Sequence, residues 1–323
     1  MKKVLITGGA GFIGSHLVEK FIQNNFNVVV LDNLSSGKKN NLKNVLKDKK
    51  FKFVRGDINN KQLVLKILNE CEGVIHCAVK NVRMSLKKPL ECYKVNSFGT
   101  INLLECSKIK KIKKFIYCSS SEVYGNNPFK KKLRENTNCY PTTIYGASKL
   151  AGEYYTLVYK KLYGLNSVVL RPFNAYGERA HESADKAEVI YRFVSNVLKG
   201  KRPYIFGNGK NSRDFTYVKD ITDIFFEIYL SKLFKVNIVN IGFGKNVSII
   251  DLLEKINKLL KKNIKPIFLP SRPGDVYQLH CDNSFLKKNY KIFPKTNIKI
   301  GIKLYTDWLK NNSFLKNYKK INW

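Results

Sequence analysis

Tyr145 and Lys149 stand four residues apart in Tyr145-Gly146-Ala147-Ser148-Lys149, a spacing that puts both on one face of a helix. An ammonium beside a phenol favours the phenolate and is expected to lower the Tyr145 pKa towards the working pH. Tyr145 can then take a proton from a hydroxyl while hydride leaves the same carbon. Ser120 follows the apolar β-branched run Phe115-Ile116-Tyr117-Cys118, in Ser119-Ser120-Ser121-Glu122, where it can hydrogen-bond the reacting oxygen. A Tyr-x-x-x-Lys alone is a common surface pair. Its meaning depends on what stands upstream.

Upstream is Thr7-Gly8-Gly9-Ala10-Gly11-Phe12-Ile13-Gly14, preceded by the strand-like Lys3-Val4-Leu5-Ile6. After it, Ile13, Leu17, Val18 and Phe21 keep helical spacing. Strand, glycine turn and helix in this order match a dinucleotide-binding fingerprint. Gly8 allows the tight turn, Gly11 lets backbone approach a pyrophosphate at the helix start, and Gly14 lets helix and strand pack closely. Val28-Val29-Val30-Leu31 reads as a second buried strand, and Asp32 ends it. An acidic residue about 20 positions past the glycines accepts hydrogen bonds from a ribose hydroxyl. It would repel a 2′-phosphate, so the expected cofactor is NAD rather than NADP. The positive charge of a nicotinamide would add to the effect of Lys149 on Tyr145.

The elements that must carry these residues alternate. Phe51-Lys52-Phe53-Val54 reads as a strand before Gly56-Asp57-Ile58, where Asp57 either faces the adenine end of a cofactor or caps a helix near Asn59. Gly73-Val74-Ile75-His76 ends in the small residues Cys77-Ala78-Val79, where a cofactor would pass. Helices are expected over 93–107 and 145–163, and a strand over 167–170. Strands alternating with helices predict an α/β fold, a doubly wound parallel sheet of Rossmann type, with ligands at the carboxyl ends of the strands. Beyond Arg171-Pro172-Phe173-Asn174 the pattern is irregular. Helices over 187–198, 221–230, 249–260 and 300–309 and a strand over 237–240 predict a smaller C-terminal α/β lobe. The expected division is a cofactor-binding core over 1–172 and a substrate lobe over 173–323, with some segments returning to the core.

The 323 residues carry 59 Lys and Arg against 24 Asp and Glu, a formal charge of +35. The lysines fall in short patches at 47–50, 108–114, 130–132 and 258–262, without a nucleic-acid motif or repeating aromatics. A nucleic-acid partner is therefore not expected, although the charge should attract polyanionic small substrates. No run of 18 apolar residues would span a membrane, and the first strand follows Met1-Lys2-Lys3 too closely for a signal peptide. Seven scattered cysteines with no Cys-x-x-Cys suggest reduced thiols in a cytoplasmic protein. Four histidines without paired spacing argue against a zinc site.

Taken together, these segments resemble the extended short-chain dehydrogenase/reductase family, in particular its NAD-dependent nucleotide-sugar epimerases and dehydratases. The resemblance also covers Val95-Asn96, Gly99-Thr100, Ser119 to Gly125, Ser212 to Val218, Asn240-Ile241-Gly242 and Arg272-Pro273-Gly274-Asp275-Val276. It implies Tyr145 as catalytic base, Lys149 on the nicotinamide ribose and Ser120 as third member of the triad. It implies cofactor contacts from Gly8, Gly11, Phe12, Ile13, Gly14, Asp32, Asn33, Asp57, Ile58, Ala78 and Lys80. Asn174 would touch the sugar or its phosphate, and Arg213 and Arg272 would grip the diphosphate with their planar donor forks. Arg83, His181 and Asp185 fall in variable substrate loops and receive no role.

The family's shared first step is oxidation of a sugar carbon, usually C4, to a ketone. An epimerase then lets the keto sugar turn over, whereas a 4,6-dehydratase removes a C5 proton and water. Where dehydratases carry Asp-Glu, this chain carries Ser121-Glu122. The Ser-Ser-Glu-Val-Tyr pattern is also close to that of UDP-glucuronate decarboxylases. The absent Asp and the Arg272-to-Val276 segment favour a 4-epimerase, and the resemblance implies a UDP-hexose as its substrate. Glu122 keeps dehydratase and decarboxylase chemistry as the alternative. More remote are a simple reductase releasing its cofactor and a non-catalytic basic binding protein on the same fold. The family also implies a homodimer through the helix bearing Tyr145, with Tyr154, Tyr155, Leu157, Val158 and Leu162 as candidate surface.

Overall fold

The computed structural model describes residues 2–126, 131–181, 187–272 and 275–312. Its centre is a seven-stranded parallel sheet. In chain order the strands are β1 (Lys3–Thr7), β2 (Asn27–Asp32), β3 (Phe51–Arg55), β4 (Gly73–His76), β5 (Lys114–Cys118) and β6 (Ser167–Pro172). The seventh, Ile238–Ile241, pairs with β6, and the spatial order is Ile238–Ile241, β6, β5, β4, β1, β2, β3. The winding reverses between β1 and β4, which opens a crevice at their carboxyl ends.

Alternate residues of each strand feed two separate cores, as a sheet covered on both faces requires. Val4, Ile6, Val28, Val30, Ile75, Ile116 and Val168 pack on one face with helix α1 (Phe12–Gln23) and the Val218–Leu230 helix. Leu5, Val29, Leu31, Val74, Phe115, Tyr117 and Val169 pack on the other. A third core, including Tyr191, Phe193, Phe215, Leu252, Ile256 and Tyr305, lies in the later part of the chain. Two late segments nevertheless belong to the sheet: strand Ile238–Ile241 and the helix Val218–Leu230.

Local details differ from the sequence reading in three places. The helix expected over 93–107 is interrupted by a π-helical turn, Lys94–Phe98, between Pro89–Tyr93 and Gly99–Ile109. Within that turn Asn96 is buried, and its amide exchanges hydrogen bonds with the backbone of Lys80, a distant contact that periodicity does not encode. Asp57 is not the cap of the next helix. Asn60 caps it through Leu63 N–H at 3.0 Å, while Asp57 accepts from Asn59 N–H and the Asn33 amide. Of the five apolar residues offered for a dimer surface, Tyr154, Val158 and Leu162 are exposed, but Tyr155 and Leu157 pack against the core.

Candidate active site

The cofactor end of the cleft is made mainly of backbone. Gly8 has φ +67°, and a Cβ there would lie 2.7 Å from the Ala78 backbone. A Cβ on Gly14 would lie 2.2 Å from the Gly8 carbonyl oxygen. Gly11 caps α1 without a side chain, leaving the first helical N–H groups for a ligand. The Asp32 carboxylate accepts from Ala10 N–H at 2.9 Å and Leu34 N–H at 2.8 Å. Burial raises its pKa, and each oxygen keeps a lone pair for a hydroxyl donor. A cradle closed to side chains at two glycines, with donors at a helix start and a carboxylate at the end of β2, fits a dinucleotide such as NAD.

A chain of buried groups fixes the opposite wall. His76 lies between the hydroxyls of Thr7 (2.7 Å) and Thr100 (2.9 Å), and burial depresses its pKa to about 3. It is therefore a neutral strut. Asn96 continues the chain to Lys80 and to the Ser148 hydroxyl at 3.0 Å. The Lys80 ammonium reaches across the crevice to Ser35 Oγ at 3.1 Å.

At the reacting end, Tyr145 and Lys149 occupy the first turns of the long helix Ile144–Tyr163. Thr143 caps this helix by accepting from Gly146 N–H at 3.0 Å, and Gly164 ends it with φ +66°. The Ser120 hydroxyl, which accepts from Glu122 N–H at 3.2 Å, neighbours the Tyr145 phenol. The expected lowering of the Tyr145 pKa is not what the free protein shows. Burial raises it well above the ordinary value, and the neighbouring Ser120 hydroxyl works against that. Burial also lowers Lys149, whose Nζ lies 4.3 Å from the centre of the Tyr117 ring. The cost of removing a phenolate from water sets the proton affinity of Tyr145 in the free protein.

Two turns further along, Glu153 ties the loop carrying Ser120 to this helix. It accepts a hydrogen bond from the Ser119 hydroxyl. It also takes a two-pronged ion pair from Arg171, with Nε at 2.8 Å and Nη2 at 2.6 Å. Arg171 Nη1 donates to the Tyr124 hydroxyl at 2.8 Å, and that hydroxyl donates to Asn240 Oδ1 at 2.7 Å. All of these side chains except Ser120 itself are buried.

The far end of the cleft is built from charged side chains. Burial raises the Glu122 carboxyl, opposed by Arg213. Burial likewise lowers Arg213, with Glu122 the largest opposing influence. Arg213 Nη1 donates to the Ser212 carbonyl at 2.9 Å. Next to it, Asp214 is fully buried and accepts from Phe243, Gly244 and Cys281 N–H groups; burial pushes its carboxyl up to about 7. Arg272 pairs with Asp275 through two contacts of 3.2 Å, and its guanidinium lies 4.2 Å from the centre of the Phe206 ring. Asn174 has φ +27°, a conformation asparagine tolerates better than most residues, and its amide points to the Asp214 carbonyl at 3.4 Å.

Every residue singled out from the sequence for cofactor, chemistry or substrate borders this one cavity of about 460 Å³. Arg83 and His181 border it too, while Asp185 lies outside the described residues. Sequence reasoning gave no role to Ser35 to Gly37, Cys118, Glu188 and Arg192, which line the same cavity. It also missed the Glu153–Arg171 pair. The one available signal was the helical spacing of Tyr145, Lys149 and Glu153, which places all three on a single face.

The geometry has counterparts among known proteins. Residues 4–242 match the model of the NAD dependent epimerase/dehydratase family. A putative UDP-glucose 4-epimerase of Methanocaldococcus jannaschii is 39% identical, with 96% of this chain and 99% of that protein covered. Among solved structures, a UDP-N-acetylglucosamine 4-epimerase from Methanobrevibacter ruminantium, in complex with UDP-N-acetylmuramic acid, superposes with a TM-score of 0.90. It is 35% identical over 96% of this chain and 98% of its own. A UDP-glucose 4-epimerase from Thermus thermophilus, in complex with NAD, gives a TM-score of 0.87 at 32% identity, over 95% of this chain and 99% of its own.

Proposed function

The chain belongs to the NAD dependent epimerase/dehydratase family and is an NAD-dependent enzyme of nucleotide-sugar chemistry. From that premise we propose that it is a 4-epimerase acting on a UDP-hexose through a transient 4-keto sugar. The observation that carries this reading is the convergence of Ser120, Tyr145 and Lys149 on one cavity, at the seam between a dinucleotide cradle and an arginine-lined pocket. Relatives named for UDP-sugar 4-epimerisation support it.

In this reading Gly8, Gly11, Phe12, Ile13 and Gly14 hold the pyrophosphate, and Asp32 takes the adenine ribose. Asn33, Asp57 and Ile58 border the adenine, while Ala78 and Lys80 line the nicotinamide side. Bound NAD supplies the hydride acceptor at C4 and a positive charge beside the phenol. Tyr145 takes the proton of the C4 hydroxyl, and Ser120 holds the same oxygen in line. Lys149 binds the ribose hydroxyls and keeps a cation next to the phenolate as it forms. Arg213, Arg272 and Asn174 hold the diphosphate, so the sugar can turn over while its nucleotide stays fixed. Tyr145 then returns the proton to the oxygen on the other face.

The division of labour runs along the chain, with residues 1–172 holding the cofactor and 173–323 mainly the sugar nucleotide. Tyr154, Val158 and Leu162 form the apolar stripe we assign to contact with a second copy, because all three stand exposed on one helix. Among the described residues no helix is long and apolar enough to cross a membrane. A cytoplasmic location suits the seven free thiols.

A second reading rests on Glu122. Its half-buried carboxyl is raised from its ordinary value by desolvation close to Tyr145, where an additional acid or base would serve a 4,6-dehydratase or a decarboxylase. Incubating the purified protein with UDP-, dTDP- and GDP-hexoses, without added cofactor, separates these reactions. Mass spectrometry and NMR should find an unchanged mass with an inverted C4. A loss of water or of carbon dioxide would replace the epimerase reading with the second one.

A further inference from the structure

Two thiols with no part in this mechanism lie side by side in the cleft wall. β4 and β5 are paired with His76 opposite Tyr117, so the next residues, Cys77 and Cys118, are neighbours across two parallel strands. Both side chains pack on the sheet face that carries Ile75 and Ile116, and both border the cavity. Each thiol acts directly on the proton affinity of the other. Adjacent strands lie about 4.8 Å apart, within the Cα separation of about 4.4–6.8 Å that a disulfide spans.

We propose that Cys77 and Cys118 form a covalent modification site for small hydroperoxides, which close the two thiols into a disulfide beneath the cofactor. Cys118 is the nucleophile. The neighbouring Cys77 thiol lowers its pKa, burial opposes this, and the Lys149 ammonium adds to the lowering. The neighbouring Cys118 and burial raise Cys77. The Cys118 thiolate attacks the terminal oxygen of the hydroperoxide and breaks the O–O bond. The departing alkoxide, or hydroxide from hydrogen peroxide, is protonated by water, and Cys118 becomes a sulfenic acid. The Cys77 sulfur then attacks the Cys118 sulfur. The S–O bond breaks, and hydroxide leaves as water with the Cys77 proton. Two thiols lose two electrons and two protons, and the hydroperoxide is reduced to one alcohol (or water) and one water.

The position gives the modification a consequence. Cys77 precedes Ala78, which packs against Gly8 in the cofactor cradle. Cys118 precedes Ser119 and Ser120, and a thiolate at Cys118 favours the charged form of Lys149. A bound dinucleotide would lie over the pair and shield it.

The test is mass spectrometry of the full-length chain, freed of nucleotide and treated with equimolar hydrogen peroxide. The expected product has lost two hydrogens, yields a non-reduced peptide joining Cys77 to Cys118, and reverts with dithiothreitol. Adding NAD first should slow the linkage by roughly tenfold, through loss of access. In C77S the resolving thiol is gone, and Cys118 should gain oxygen instead. In C118S neither position should react. The proposal is overturned if the parent chain yields no such peptide, links other cysteines, or if C118S still oxidises at Cys77 as fast as the parent. None of these readouts depends on which sugar the enzyme takes, so they stand apart from the epimerase reading.

Discussion

At the cofactor end of the cleft the wall is backbone; at the sugar end it is charged side chains drawn from distant segments. Gly8, Gly11 and Gly14 shape the first by having no side chain, and the groups offered to the ligand are peptide N–H donors and one carboxylate. Glu122, Arg213 and Arg272 shape the second, where Glu122 and Arg213 offset one another and Arg272 pairs with Asp275. The first end has one geometry for one ligand. The second can change its preference by exchanging a side chain, without disturbing the sheet. The Ser120–Tyr145 pair stands at the seam, held by the buried Glu153–Arg171 anchor.

This contrast can be broken at several points. The largest effect belongs to the seam: Tyr145→Phe should lower kcat by about 10²–10⁴, as loss of a general acid–base does, while cofactor stays bound. Near-normal turnover would remove Tyr145 from the chemistry. Next is Gly14→Ala, whose Cβ would meet the Gly8 carbonyl at 2.2 Å, against backbone that cannot yield. Protein purified from this variant should carry no NAD by absorbance; full cofactor content would show that the cradle is not the binding site. Glu153→Gln leaves Arg171 buried without its partner and should cost about 3–5 kcal/mol in urea denaturation. A cost near zero would mean that the anchor contributes nothing.

The remaining two predictions are smaller. His76 has a folded pKa of about 3 against an ordinary 6.5, so between these values the unfolded chain binds more protons. Stability should therefore fall as pH drops from 6.5 towards 3, by up to about 1.4 kcal/mol per unit from this group. His16, depressed by burial to about 4, adds in the same direction. Denaturation of His76→Gln at pH 7 and pH 5 should show a shallower pH slope than the parent. Smallest of all, Arg272→Ala should raise KM several-fold for the sugar nucleotide with kcat and NAD content unchanged. A loss of bound NAD instead would blur the distinction between the two ends.

The early strands and the glycine turn were legible because each is a local pattern. Lys3 to Ile6 and Val28 to Leu31 are apolar runs, and Gly8 to Gly14 has a spacing that its backbone contacts require. The helix bearing Tyr145 was legible from the local pattern of residues 145–163. The interruption at Lys94–Phe98 was not, because it depends on Asn96 meeting Lys80 across the fold. The return of Ile238–Ile241 to the edge of the main sheet depends on pairing with β6, a partner about 70 positions earlier. Arg213 and Arg272 were found through a resemblance, and nothing in their own spacing brings them together.

The sequence by itself therefore determined the order of strands and helices, the glycine cradle, and the shared face of Tyr145 and Lys149. These follow from steric and periodic rules that act over a few residues. Tertiary structure alone decided the proton affinities of Tyr145 and Lys149, the pairing of Glu153 with Arg171, and the contact of Cys77 with Cys118. Each of these depends on how much water the surrounding fold removes and on which distant group it brings into reach, and desolvation and long-range contact are properties of the packed chain.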